Sequence, residues 1–398
     1  MAANRRDNNF RPSPAPYDDE LPAYHPAATT RADAAEIKVM VGSEITGVDI
    51  RYGGGRGHTI SGVVSGGKGI VTRPAVSVQL LGAQGELSAN SAYIRPGDDN
   101  RGFAFYGLPD GEYILNARSA GADQGLAAAP ARITLSGADV AGIEMKLDPL
   151  GSVSGRVLID GLPNSCDPKL KISLERLLIT LMRDDLRADA ETFLQYQRVF
   201  SQRVGEDGKF TFNNVEPGHY RIVPRSPDEH LYVKAIAANA ATPARRGAAR
   251  GANPAGSVSQ NGFTLRQGEK MTIGAVTFAE GAASLRGKVT PENEGARLPL
   301  RLRLHLIPAD PKATEDVLRY SETIVRSEGA FAFNNIAPGK YRLLTRVVPD
   351  DEPIDRPPFP AAWDANERAN LRKEAVAMNV EVELKPCQRV TDHVVKYR

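Results

Sequence analysis

The stretch that decides the fold runs from Phe103 to Tyr113 and reads Phe-Ala-Phe-Tyr-Gly-Leu-Pro-Asp-Gly-Glu-Tyr. Its pattern is Phe-x-Phe, five residues, then Gly-x-Tyr, and it occurs three times with identical spacing and a Pro shortly before the Gly. The copies are Phe103, Phe105, Gly111 and Tyr113; Phe210, Phe212, Gly218 and Tyr220; and Phe331, Phe333, Gly339 and Tyr341. An internal repeat of this kind predicts tandem structural units.

The chemistry of the repeated motif predicts a buried β-hairpin. The alternation in Phe-x-Phe places both rings on one face of a strand, where they can fill a core. The Pro and Gly that follow favour a tight turn, and a second strand begins at the Tyr. A Tyr in this place is typical of the tyrosine corner of β-sandwiches, in which the hydroxyl bonds to nearby backbone. We therefore predict that all three copies are structural and hold no ligand.

Other fragments repeat around the motif. Each copy is preceded by a short opening strand with one small residue, and it is followed by two strands that we predict to form a closing hairpin. The opening strands are residues 60–64, 153–157 and 285–289, and the closing strands are residues 133–145, 263–276 and, in a fainter form, 380–384. Short strands separated by Gly and Pro turns predict an all-β fold of tandem immunoglobulin-like or transthyretin-like β-sandwiches.

A further copy of the closing strands lies before the first complete repeat. Residues 37–51 match residues 133–146 almost position for position, but no opening strand or Phe-x-Phe precedes them. Residues 1–34 are rich in Pro, Asn and Arg and are predicted to be disordered. We expect either that an upstream portion of the protein is missing or that these orphan strands dock on their neighbour.

The predicted organisation therefore has five parts. They are a disordered segment at 1–34, an orphan closing hairpin of a truncated repeat at 35–57, and sandwich repeats at 58–150, 151–282 and 283–398. The second repeat contains a stretch rich in Ala, Gly and Arg at 238–258, which is predicted to be a flexible loop.

The third repeat contains a predicted helix at about 364–378. Asp364 is the predicted N-cap, and Leu371, Ala375 and Met378 share one face of the helix. We expect this helix to cover the edge or end of the last sandwich.

Composition excludes several classes of partner. The chain has 398 residues with 50 basic and 48 acidic side chains, so its net charge of +2 selects neither nucleic acid nor an anionic membrane. No apolar run is long enough for a membrane-spanning helix, and no export signal is visible at the N-terminus. Cys166 and Cys387 lie in different repeats, so a bridge between them is not expected, and their redox state is left open.

Catalytic motifs are not found in the sequence. Residues 62–69 nearly spell a phosphate-binding loop, but Gly69 stands where Ser or Thr is required. None of the six histidines has the spacing of a zinc hydrolase. We therefore predict that the protein is not an enzyme and has no catalytic residue, cofactor site or metal site.

The order Ser-Gly-x-Val, Phe-x-Phe-x5-Gly-x-Tyr and closing strands resembles the carboxypeptidase regulatory-like domain, a transthyretin-like sandwich. The resemblance covers about residues 35–398 and is strongest at the three motifs. It implies a non-catalytic module of the kind found as tandem copies in envelope and secreted proteins of soil bacteria. Domains of this shape also occur as carbohydrate-binding modules, adhesins and extensions of outer-membrane receptors.

We predict a non-catalytic structural or protein-binding array at the cell envelope or outside the cell, with a protein or glycan partner. One alternative is a carbohydrate-binding module with a starch-binding-like fold, and a second is an accessory domain of a peptidase or an outer-membrane receptor. Sugar binding normally needs an exposed aromatic platform, and Trp363 is the best candidate. Exposure of Trp363 beside a Tyr would favour sugar binding, whereas burial would favour a scaffold.

Overall fold

The structure, a computed structural model, describes most of the chain. The described residues are 8–9, 18–66, 75–82, 90–95, 101–120, 125–161, 166, 172–184, 199–237, 261–293, 295–326, 328–349 and 360–397. The predicted loop at 238–258 lies outside the described residues.

The described strands form three successive β units. The first unit contains β1 (Asn8–Asn9), β2 (His58–Gly66), β3 (Val76–Gly82), β4 (Asn90–Ile94), β5 (Gly102–Leu108), β6 (Gly111–Ser119), β7 (Leu126–Ala127), β8 (Ala131–Leu135) and β9 (Val140–Pro149). The second contains β10 (Gly151–Asp160), β11 (Leu178–Arg183), β12 (Val199–Arg203), β13 (Lys209–Val215), β14 (Gly218–Arg225), β15 (Leu231–Ile236), β16 (Phe263–Leu265) and β17 (Lys270–Glu280). The third contains β18 (Ala283–Pro291), β19 (Leu302–Pro308), β20 (Ser321–Ile324), β21 (Ala330–Ile336), β22 (Gly339–Val347), β23 (Glu381–Leu384) and β24 (Arg389–Tyr397).

The described helices are short apart from one. The α-helix α1 spans Ala365–Met378, and 3-10 turns occur at Leu174–Arg176, Pro311–Ala313, Val317–Arg319 and Ala361–Trp363. The predicted all-β fold of tandem sandwiches with one C-terminal helix is thus confirmed.

Each unit has the same two-layer topology. In one sheet the opening strand (β2, β10 or β18) lies between the antiparallel Phe-x-Phe strand and the parallel last strand of the unit. In the other sheet the strand that begins at Gly-x-Tyr (β6, β14 or β22) lies between an antiparallel partner (β3, β11 or β19) and the first closing strand. In the first unit the short strand β7 pairs with both sheets and joins them.

The predicted hairpins are wrong, because the repeated motif crosses from one sheet to the other. The Phe-x-Phe strand and the Tyr strand of a unit do not pair with each other in any of the three units. The two closing strands likewise lie in opposite sheets. A turn of suitable chemistry can reverse the chain between layers as well as within one sheet, so turn residues alone do not distinguish the two arrangements.

The tyrosine at the end of each crossing bonds back across the turn. The hydroxyls of Tyr113, Tyr220 and Tyr341 donate to the carbonyl oxygen four residues earlier, at 2.7, 2.9 and 2.7 Å. Each bond closes the turn between the layers, which is the tyrosine-corner geometry that the motif predicts.

Three separate cores fill the three sandwiches. The paired phenylalanine rings of each motif lie inside their own core, with centroids 5.9–6.0 Å apart. The inward side chains of both layers interdigitate within each unit, and Leu318 of the third unit also packs against the core of the second.

Each opening strand has a glycine at a position where a Cβ would collide with a neighbouring strand. Gly155 lies directly across from Phe210, and a Cβ at Gly155 would lie 2.6 Å from the Phe210 ring and 2.8 Å from Ile273. The register to the parallel strand shifts at this glycine or directly before it in all three units. The small residue noted in the opening strands is therefore a packing requirement.

We expect Gly155→Ala to destabilise the second unit by about 1–3 kcal/mol, because the added methyl forces Phe210 and Ile273 apart. Gly161→Ala, at the end of the same strand, is the matched control, since nothing lies within 4 Å of its Cβ position. Urea unfolding of both variants measures the difference. Equal stability of the two variants would contradict the packing role of Gly155.

The helix α1 packs on the face of a sheet and not on its edge. Asp364 caps it as predicted, accepting a hydrogen bond from the Glu367 amide at 2.8 Å. Leu371 and Ala375 are buried against Ile307 and Leu344 on the outer side of the third unit. Since β19 is buried along its whole length, its outer side also needs a cover, and α1 supplies it.

The N-terminal region differs from both predictions made for it. Residues 35–57 contain no strand and only one bridge, at Arg56, so the predicted hairpin is wrong. The closing strands that they resemble, β8 and β9, pair with other strands and not with each other. Of the segment 1–34 predicted to be disordered, residues 1–7 and 10–17 lie outside the described residues. Residues 18–34 form hydrogen-bonded turns, and the Leu21 amide donates to the Gly55 carbonyl at 2.8 Å. Within the predicted disordered segment, β1 also pairs in parallel with β4.

Candidate functional site between the second and third units

A cleft of about 450 Å³ lies where the second unit meets the third. Its walls come from β14 and β15 of the second unit and from β19, β20 and the 3-10 turns of the third. Three aromatic side chains, Tyr232, Tyr320 and Trp363, contribute to its lining. Clefts between domains are frequent ligand sites, so this is the candidate site among the described residues.

Trp363 forms one contact across the cleft. It is half-buried, and the Arg221 guanidinium lies over its ring at 4.9 Å from the centroid. Asp184 holds Arg221 in place, accepting from its Nε at 2.5 Å, and also contacts the His219 ring. The Trp363 carbonyl accepts from Arg221 and Arg368 at 3.5 and 3.3 Å. One face of the indole is therefore already occupied by a protein cation.

Tyr232 forms a second, similar contact. The Arg319 guanidinium of the third unit lies 5.6 Å from the centre of the Tyr232 ring. The same guanidinium donates to the carbonyl of Lys234 at 2.8 Å and to that of Val233 at 3.4 Å. The two aromatic rings thus serve as contact surfaces between the units.

His305 is a buried titratable group beside the cleft. Burial lowers the pKa of His305 to about 3, with the positive charges of Arg346 and Arg303 acting in the same direction and Glu374 opposing them. Its Nδ1 lies 3.5 Å from a Glu322 carboxylate oxygen. With that pKa the imidazole is neutral near pH 7, so its contact with Glu322 is not an ion pair.

The depressed pKa of His305 predicts an acid-sensitive third unit. Between the unfolded pKa of about 6.5 and the folded value of about 3, only the unfolded state takes up the proton. Stability is therefore complete above pH 6.5 and decreases as the pH falls, by about 2 kcal/mol between pH 7.5 and pH 5.

Urea unfolding of the native chain and of His305→Gln at both pH values measures this loss. The variant, which lacks the imidazole, is expected to lose about 2 kcal/mol less over the same range. Identical pH profiles of the two proteins would contradict a buried neutral His305.

A disulfide joins the second and third units, contrary to the expectation from their positions in sequence. Cys166 and Cys387 are bonded, with their Cα atoms 5.5 Å apart and a sequence separation of 221. The Cys387 amide donates to the Gly281 carbonyl, so the turn before β24 lies against the linker between the two units. Cysteines of two different units can therefore bond, because the ends of adjacent units lie against each other.

An asparagine after each of the last two Phe-x-Phe motifs forms another junction that the sequence analysis missed. Asn335 has a left-handed backbone, and its side-chain amide donates to the carbonyls of Asp228 and Leu231 in the preceding unit at 2.6 and 2.8 Å. Asn214 holds the same place in the second unit and lies against Gly125 of the first. The available signal was Asn two residues after the second Phe, since Asn tolerates left-handed geometry.

An ion-paired cluster lies at the junction of the first two units. Arg118 of the first unit and Arg183 of the second both donate to the Glu216 carboxylate, at 2.5 and 3.3 Å. Glu216 belongs to the turn of the repeated motif, and its carbonyl also accepts the Tyr220 hydroxyl. The motif turn therefore contributes to a contact between units as well as to its own sandwich.

The structure separates Trp363 from the other predicted site residues. The phenylalanines and tyrosines of the motif are buried in the cores, and its glycines begin the Tyr strands. None of these twelve residues lines the cleft, whereas Trp363 does. Among the described residues no cluster of three metal-ligating side chains occurs, and no described helix is long and apolar enough to span a membrane.

No protein-family model matches this sequence, and a comparison with curated proteins finds no match. Among solved structures, the Bacillus anthracis TIE protein is similar at 13% identity over 85% of this chain and 50% of that chain, with a TM-score of 0.21. This chain thus spans about half the length of that protein.

Two pilins show a comparable likeness. The major pilin subunit BcpA of Bacillus cereus is 10% identical over 85% of this chain and 98% of that chain, with a TM-score of 0.19. The minor pilin GBS52 of Streptococcus agalactiae is 11% identical over 62% of this chain and 94% of that chain, with a TM-score of 0.20.

Proposed function

We propose that this protein is a non-catalytic structural array of β-sandwich modules that spaces or displays other groups at the cell envelope or outside the cell. The observation that carries the proposal is the use of the aromatic groups in the cleft. Arg221 covers Trp363 and Arg319 covers Tyr232, so the side chains best suited to ligand stacking bind the units to each other.

The modules of the array are residues 58–150, 151–282 and 283–398. The disulfide Cys166–Cys387 and the Asn335 amide support a fixed arrangement of the last two modules. The disulfide also supports a location outside the cytoplasm, because disulfides persist in oxidising compartments. The motif's resemblance to the carboxypeptidase regulatory-like domain fits a module of this kind.

Carbohydrate binding is the second candidate function. The cleft favours it, since Tyr232, Tyr320 and Trp363 surround about 450 Å³ at a domain boundary. A sugar would stack on the ring faces opposite the arginines.

The variant Trp363→Ala separates the two functions. If the array is structural, the variant loses about 1–2 kcal/mol of stability in the second and third units, because the contact with Arg221 and part of the ring's burial are lost. The native chain should then capture no glycan on a glycan array. Calorimetry of the native chain and of the variant measures the stability loss.

Tyr93→Ala is the control, because Tyr93 is exposed on the first unit and touches neither the cleft nor its walls. Glycan capture by the native chain that Trp363→Ala abolishes without a change in melting would overturn the structural proposal and establish sugar binding.

A further inference from the structure

We propose that residues 18–57 are the second half of a β unit and that their exposed apolar side chains bind the first half of a unit of the same kind. That first half consists of an opening strand, a Phe-x-Phe strand and a Tyr strand. The inference concerns a partner surface and is independent of the proposed structural function.

The glycine geometry of this segment repeats that of the first unit's closing strands. Gly42 and Gly47 align with Gly137 and Gly142, and all four have φ between +68° and +79°. Residues 36–52 therefore have the same glycine turns as the connection between β8 and β9. Residues 36–52 themselves form no strand.

The same alignment pairs three exposed apolar residues with buried ones, while Lys38 takes the place of buried Ile133. Leu135, Met145 and Leu147 of the first unit are 2%, 2% and 1% exposed. Their counterparts Met40, Ile50 and Tyr52 are 77%, 58% and 54% exposed. Val41, Ile45 and Val48, which lie between them in sequence, are 108%, 42% and 42% exposed. A concentration of exposed apolar side chains is typical of an interaction surface.

The start of the segment repeats a junction already described. Asn214 and Asn335 each place a left-handed residue against the preceding unit. Gly107 takes that place in the first unit, with φ +68°, and a Cβ there would lie 2.7 and 2.5 Å from the carbonyl oxygens of Asp18 and Glu20. Residues 18–20 thus contact the first unit as each unit contacts the one after it.

The end of the segment repeats a second feature of the units. Glu20 forms an antiparallel bridge to Arg56, just after the glycine turns. In the first unit Leu126 pairs in the same way with Pro149 at the end of β9, and in the second unit Leu231 pairs with Glu280 at the end of β17. Both ends of residues 18–57 are therefore built like the second half of a unit.

The pairing in the first unit specifies the occupant. There β8 pairs antiparallel with the Tyr strand, and β9 pairs in parallel with the opening strand, with Met145 opposite Val64 and Leu147 opposite Gly66. In all three units of this chain both of these edges are already occupied by the unit's own closing strands. A second copy of the chain has the same occupied edges, so the occupant is a half-unit whose Tyr and opening strands are free.

A graft within the full chain tests whether the segment can complete a unit. Residues 131–147 of the first unit are replaced by residues 36–52, which keeps both glycines in place, and Ile is kept at position 133, where Lys38 would otherwise enter the core. The first unit is expected to fold and to melt within about 5 °C of the native unit. A control graft carries Asp at the positions of Met40, Ile50 and Tyr52 and should lose the melting transition of the first unit. A native-sequence graft as unstable as this control would overturn the proposal.

A second experiment supplies the half-unit directly. A copy of residues 58–127 is fused through a flexible linker ahead of residue 18 of the full chain. Amide hydrogen exchange in residues 36–52 should become about 100-fold slower than in the native chain. The variant Ile50→Asp in the fusion should abolish the protection, and it leaves the native chain intact because Ile50 is exposed there. Unchanged exchange in the fusion would contradict the proposal.

Sedimentation velocity of the native chain tests the other occupant. The native chain is expected to be a monomer, since the described opening and Tyr strands of each unit are already paired on both sides. A dimer that Ile50→Asp dissociates would show that a second copy covers the exposed apolar side chains, and it would overturn the proposal.

Discussion

Reduction of the Cys166–Cys387 disulfide is expected to lower the free energy of unfolding of the second and third units by about 2–5 kcal/mol. The bond closes a loop of 221 residues, so its loss releases a large number of unfolded conformations. Calorimetry with and without a phosphine reductant measures the shift, and Cys166→Ser with Cys387→Ser reproduces the reduced state without the reductant.

The first unit is the internal control for this experiment. It contains neither cysteine, so its melting transition should not move when the bond is reduced. Equal melting of the oxidised and reduced protein would show that the bond adds nothing to the junction. A shift in all three units would instead show that they do not unfold separately.

Truncation of Phe105 to Ala is expected to destabilise the first unit by about 3–5 kcal/mol. Phe105 is fully buried, its ring lies 6.0 Å from that of Phe103, and the backbone around it cannot close the resulting cavity. Hydrogen exchange of the first unit, measured over a series of denaturant concentrations, gives the loss. Phe105→Leu, which keeps most of the apolar volume, should cost clearly less.

The location of the effect tests the separate cores. Because each sandwich has its own apolar cluster, Phe105→Ala should leave the exchange rates of the second and third units unchanged. Tyr93→Ala, at an exposed position of the same unit, should change stability little. A comparable loss in all units would contradict the modular architecture.

Several predictions from the sequence depended on local rules, and the structure agrees with them. Alternating apolar residues place the rings of Phe103 and Phe105 in a core, since side chains of a strand alternate between its faces. Asp364 caps α1 because a helix start needs an acceptor for its free amides. These features need only neighbours within a few residues, which a single sequence displays.

The candidate site was predictable only in part. The sequence identifies Trp363 as the best candidate for a ligand-contacting aromatic side chain, and Trp363 does line the cleft. Its partner Arg221 lies 142 residues earlier in sequence, in another unit, and nothing in the local pattern indicates their contact. Asn335 carried a signal, since Asn often adopts a left-handed backbone, but its acceptors lie in the preceding unit.

By itself the sequence determined the number of complete units, their all-β character, the inward direction of the motif rings and the capped helix. Periodicity and turn chemistry act over a few residues, so these features follow without knowledge of long-range contacts. Only the tertiary structure decided that the motif crosses between sheets, that Cys166 bonds to Cys387, and that Met40 and Ile50 face outward. Those outcomes depend on which distant segments meet, and that is set by the packing of layers and the stacking of whole units.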